Sequence, residues 1–300
     1  MVNWELTHFS KQEKEELSNL DFVNGKEFYG RINKATSKIE TYSGELQEDV
    51  FSKLDLPGSI DSWIENGFIT ENDSEEIKWN YPIYNQNKYG FRTDEWIDQE
   101  GIIFLGCSDT YGHYSHEKNT WARIVSKNFD KRCYNLGING GTIIGCYRLL
   151  KRWLPDIKSK TVCLLIPGLS RLELFSYDSF GQRHISIGDK TVLTPPNTKL
   201  DKQTQDSIFK LITENICSAA YKAVTLNLAL DGIKSICEKN NINLVYEYNP
   251  YTFQRSDNSN IKLPTDSELG LAMDLAHKGK VYHESIAKHF IRELNKFNYL

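Results

Sequence analysis

From residue 101 onward, short apolar runs alternate with stretches of helical periodicity, and this alternation limits the fold more than any other feature of the chain. Ile102-Ile103-Phe104-Leu105, Cys133-Tyr134-Asn135-Leu136, Val162 to Ile166 and Leu244 to Tyr248 have the length and apolar character of buried strands. Thr120 to Phe129, Thr142 to Trp153, Asp206 to Asn240 and Val281 to Asn295 carry helical spacing. Strands that are apolar on both faces must be covered on both faces, and parallel strands need crossovers long enough to hold a helix. The pattern therefore predicts an α/β fold: a mostly parallel sheet with helices on both faces.

The first 85 residues read differently. Ser10-Lys11-Gln12-Glu13 is a capping-box pattern that opens a helix over Ser10 to Leu20, and the stretch after it is polar, rich in Asn, Lys and Glu. Trp4, Phe22, Phe28, Tyr29, Trp63, Phe68 and Trp79 imply packing against something. Residues 1–85 are accordingly expected to be an N-terminal accessory segment, and residues 86–300 the main domain. Within the latter, residues 168–203 read as a loop-rich insertion between the third strand and the long helix.

Ligands of a doubly wound sheet sit beyond the carboxyl ends of its strands, so the residues that follow each apolar run are the candidates for chemistry. The first run leads into Gly106-Cys107-Ser108-Asp109-Thr110-Tyr111-Gly112, which places a serine among small residues on a turn. The second leads into Asn135-Leu136-Gly137-Ile138-Asn139-Gly140-Gly141-Thr142, whose glycines allow backbone to approach a ligand. Its spacing is not GxGxxG, and GxxxxGK[ST] is absent, so neither standard nucleotide loop is present. Ahead of the last helix stands Asp274-Leu275-Ala276-His277, where a carboxylate can orient an imidazole that faces a serine.

Together these blocks resemble the SGNH/GDSL serine hydrolase family. Gly106 to Gly112 is similar to its nucleophile block in the GCSxTYG variant, Asn135 to Thr142 to its glycine block, Asp274 to His277 to its terminal DxxH block, and Asn87-Lys88-Tyr89-Gly90-Phe91-Arg92 to the lead-in before its nucleophile. The resemblance implies a flavodoxin-like, doubly wound SGNH hydrolase fold and ester hydrolysis. It makes Ser108 the nucleophile, His277 the base and Asp274 its partner, with the backbone N–H groups of Ser108 and Gly140 in the oxyanion hole. The family's third block ends in G-x-N-D, whereas this chain reads Gly168-Leu169-Ser170-Arg171. Ser170 could donate to the oxyanion in place of the asparagine, or Arg171 could stabilise the charge. Asp109 and Arg171 are further candidates to bind substrate. The implied substrate is a small-molecule or carbohydrate ester with an acetyl or other small acyl group. The departure in the third block keeps a second reading open: a catalytically weak SGNH-like module for binding or assembly, for example in a virion.

Other classes find less support. A net charge of -4 with scattered Lys and Arg gives no electrostatic footprint for nucleic acid. The N-terminus lacks a basic-then-apolar leader and no run of 18 apolar residues occurs, so a cytoplasmic protein that neither spans nor binds a membrane is expected. Cys107, Cys133, Cys146, Cys163, Cys217 and Cys237 form no CxxC pair and read as buried free thiols. No cofactor is expected, and no metal: Asp109, His113 and His116 have no further His or Cys at helpful spacing. His283 and His289 read as helix-face histidines.

Overall fold

The computed structural model describes residues 87, 89, 91–113, 115–138, 140–169, 171–178, 181–187, 192–193, 203, 207, 210, 219–250, 260–263 and 279–297. The accessory segment 1–85 lies outside these residues, as do Cys217, Ser170, Asp274 and His277.

Four strands, β1 (Gly101–Leu105), β2 (Arg132–Asn135), β3 (Ser159–Ile166) and β7 (Asn243–Tyr248), form one sheet in the order β2-β1-β3-β7, with every pairing parallel. This is the doubly wound, flavodoxin-type order: the chain moves outward from β1 in one direction to β2, then returns to lay down β3 and β7 on the other side. In such sheets ligands bind beyond the carboxyl ends of the strands at the reversal, which here falls between β1 and β3.

Helices cover both faces, as the alternation predicts. On one face α3 (Ile143–Trp153) and α4 (Ala219–Lys239) pack on Ile103, Leu105, Tyr134, Val162, Leu164 and Ile166. On the other, α2 (Trp121–Asn128) and α5 (Lys280–Asn295) pack on Ile102, Phe104, Cys133, Cys163, Leu165 and Val245. Odd and even positions of one strand thus serve opposite layers, which is why the central runs Ile102 to Leu105 and Val162 to Ile166 are apolar throughout. Thr120 and Thr142 cap α2 and α3, the Thr120 side chain accepting from Arg123 N–H at 3.4 Å and that of Thr142 from Gly145 N–H at 2.9 Å.

The insertion after β3 differs from the loop-rich reading. It holds an antiparallel set, β4 (Leu172–Asp178), β5 (Gly181–Ile187) and β6 (Val192–Leu193), in which Asp178 pairs with Gly181 across a two-residue connection. Leu172 and Leu174 pair with Ile187 and Ile185, a period-two signal hidden in the sequence by the polar and aromatic residues around it. The five described cysteines are free and buried; burial pushes the thiols of Cys133 and Cys237 up to about 12 and about 11. No described helix is long and apolar enough to cross a membrane.

Candidate active site

Ser108 sits where β1 ends, as the first residue of the short helix α1 (Ser108–Tyr111), beside β3. The turn that puts it there requires glycine at 106. Gly106 has φ +156, and a Cβ on it would stand 2.0 Å from Thr110 Oγ1 and 2.9 Å from Leu165 O. Thr110 N–H and Tyr111 N–H both donate to Cys107 O, and Gly112 N–H and His113 N–H to Ser108 O. Being first in the turn, Ser108 N–H has no intrahelical acceptor. Ser108 is 6% exposed.

The glycine loop after β2 is seated on this turn. Leu136 N–H donates to Phe104 O and Ile138 N–H to Gly106 O. Asn135 Nδ2 donates to Thr110 O at 2.7 Å while its Oδ1 accepts from Gly137 N–H at 2.8 Å, so one side chain ties both loops together. Glycine is needed at 137 because a Cβ there would stand 2.5 Å from Tyr111 N. Gly140 is buried in the same loop. Arg171, leaving β3, donates from Nη1 to Gly141 O at 3.2 Å, which brings it to the loop's outer side.

The lead-in motif has a physical role. Asn87 Oδ1 accepts from Tyr89 and Phe91 N–H, turning the chain so that Phe91 enters the core and Arg92 runs beneath the nucleophile turn. Arg92, 2% exposed, donates to Tyr111 O at 3.3 Å, Gly112 O at 2.5 Å and Ser115 O at 2.7 Å. Thr93 Oγ1 accepts from Asn135 N–H and donates to Cys133 O. Asp94 receives Arg123 and Cys133 N–H; burial alone would raise its carboxyl, but these partners hold it below the usual carboxylate range.

Asp109 is anchored by residues that sequence reasoning missed. Asn249, directly after β7, donates from Nδ2 to Asp109 Oδ2 at 2.5 Å and accepts from Tyr282 OH at 2.9 Å. The available signal was a polar residue immediately after a strand, at the sheet's carboxyl edge. His113 and His116 lie near the turn, and no described group of three His, Cys, Asp or Glu could hold a metal.

The two helix-face histidines lie on the buried side of α5. His283 Nδ1 accepts from Trp121 N–H at 3.4 Å and its Nε2 lies 3.4 Å from Ser115 Oγ. His289 Nε2 lies 3.4 Å from Glu247 Oε2, and Arg292 Nη2 3.0 Å from Nδ1.

Of the candidate site residues, Ser108 and Asp109 lie in the segment that follows β1, Gly140 in the one that follows β2 and Arg171 in the one that follows β3. No protein-family model and no curated protein matches the chain. Solved structures do. One is described as a lipolytic protein of the G-D-S-L family from Desulfitobacterium hafniense DCB-2, at 14% identity and a TM-score of 0.31, covering 65% of this chain and 99% of that one. Another, described as a GDSL-like lipase from Bacteroides ovatus ATCC 8483, is 13% identical with a TM-score of 0.32, covering 68% of this chain and 54% of that one. The chain is thus similar to solved GDSL-family proteins at low identity, while the strand order and the turn at Ser108 define its fold and candidate site directly.

Proposed function

We propose that the chain is a serine hydrolase that cleaves a carboxylic ester bond. The observation that carries this is Ser108: its turn presents it at the carboxyl end of β1, beside β3, where the strand order reverses, under a glycine loop bonded to that same turn. Such a position puts a hydroxyl and backbone N–H groups on the same reacting centre. Ser108 Oγ attacks the ester carbonyl, and His277, held by Asp274, takes its proton. The N–H groups of Ser108 and Gly140 receive the oxyanion, with Ser170 or Arg171 where the family asparagine would stand. His277 then protonates the leaving alcohol, and water releases the acyl group from Ser108. A small acyl group on a carbohydrate or similar polar alcohol is the proposed substrate, and residues 1–85 are proposed to be a separate accessory segment.

The test is turnover of p-nitrophenyl acetate, with Ser108→Ala expected to be inactive and a fluorophosphonate expected to label Ser108. Equal rates for wild type and Ser108→Ala would overturn the assignment. The second reading, a catalytically weak binding or assembly module such as a virion component, has one observation in its favour: Arg171, a possible charge stabiliser, is bonded to the Gly141 carbonyl. Absence of fluorophosphonate labelling at Ser108 would favour it.

A further inference from the structure

Beside the nucleophile lies a carboxylate whose position is set from across the sheet. Asp109 is only partly exposed, and its Oδ2 accepts the Asn249 amide at 2.5 Å. Asn249 is fully buried, its backbone N–H donates to Ile166 O at 3.2 Å, and its Oδ1 accepts from the fully buried Tyr282 hydroxyl at 2.9 Å. Because Tyr282 OH donates to Oδ1, the amide's NH2 faces the carboxylate, and an acceptor-only group such as ionised Asp109 needs that orientation. The chain Tyr282, Asn249, Asp109 therefore holds the carboxylate over the end of β3, where it stays partly exposed. Both partners are neutral, and no described Lys, Arg or His forms an ion pair with Asp109. Among the described residues its charge is thus held in place without being cancelled.

We infer that Asp109 is a specificity-determining residue that rejects esters carrying a negative charge near the scissile bond, with Asn249 as its positioning residue. This rests on the ester hydrolase reading of Ser108. The class accepted is the neutral, hydroxyl-bearing or cationic ester; hemi-esters of dicarboxylic acids, uronates and phosphorylated alcohols are disfavoured. A fixed like charge on the residue next to the nucleophile, in partly wet surroundings, is worth about tenfold in relative kcat/KM.

The experiment compares p-nitrophenyl acetate with mono-p-nitrophenyl succinate in the full chain. Wild type is expected to favour the acetate, and Asp109→Asn to raise the succinate-to-acetate ratio of kcat/KM by about tenfold, chiefly through KM of the succinate. Asn249→Ala should move the same ratio in the same direction by less, because the carboxylate remains but is no longer held. In wild type, added salt should raise the ratio by screening the repulsion, a readout that needs no variant to fold. A ratio unchanged by both Asp109→Asn and salt, with turnover still dependent on Ser108, overturns this inference and leaves the hydrolase reading standing. Turnover of either ester that does not depend on Ser108 overturns both.

Discussion

Two buried serines follow β1 seven residues apart, and their surroundings differ. Ser115 has a histidine ring within 3.4 Å, yet His283 accepts a backbone N–H from Trp121 at Nδ1. The neutral ring then carries its proton on Nε2 and donates it to Ser115, so it cannot take a proton from that hydroxyl. Ser108 has no hydrogen bond from its hydroxyl to a described residue, and it lies at the carboxyl end of β1 with a glycine loop against its turn. A nearby histidine is therefore not evidence of a dyad; the group that holds its other nitrogen decides what it can do.

The sharpest way to break this contrast is kinetic. Ser108→Ala is expected to lower ester turnover by roughly 10⁴-fold or more, and Asp274→Asn by up to roughly 10⁴-fold through the wrong tautomer of His277, while Ser115→Ala keeps near wild-type turnover. An inactive, folded Ser115→Ala with an active Ser108→Ala would exchange the roles of the two serines.

Arg92 lies beneath both. Arg92→Leu strands the carbonyls of Tyr111, Gly112 and Ser115 and should cost about 3–5 kcal/mol in urea unfolding. A loss below about 1 kcal/mol would show that water replaces the guanidinium and that the turn holds itself. Gly137→Ala tests the nucleophile side alone: the clash with Tyr111 N should cost about 1–3 kcal/mol and reduce turnover as the loop lifts from the Ser108 turn. Full activity with lost stability would separate the loop from the chemistry.

The smallest effect concerns the second helix-face histidine. Burial lowers the His289 imidazole below its ordinary range, outweighing the attraction of Glu247. The unfolded chain then binds the proton first, so stability should fall as pH drops below about 6.5 and level off below the folded-state value. His289→Gln should flatten that slope in pH-dependent thermal unfolding. An unchanged slope would assign it to other groups.

Much of this was legible in the chain itself, for identifiable reasons. The strands of the parallel sheet announced themselves because each must be apolar on both faces, and Thr120 and Thr142 marked helix starts because a cap needs a hydroxyl there. Ser108 and the glycine loop were readable as consecutive residues at strand ends. What escaped was non-local or disguised. Asn249 gains its meaning only from Asp109, 140 residues earlier, and Arg92 from carbonyls that a side-chain pattern does not display. The hairpin of β4 and β5 was missed because polar, aromatic and turn-forming residues obscure its alternation in the sequence.

The central position of β1 and β3 has a consequence for how the domain opens. Each has a bonded neighbour on both edges, and each places consecutive side chains under different helical layers. Removing either layer would uncover half of every strand, so neither layer can melt alone at low cost. Amide protons of Ile103 and Cys163 should therefore exchange with deuterium only through global opening, whereas those in the last turn of α5 exchange by local fraying. The strand that carries Ser108 at its end is then among the last parts of the protein to give up its protons.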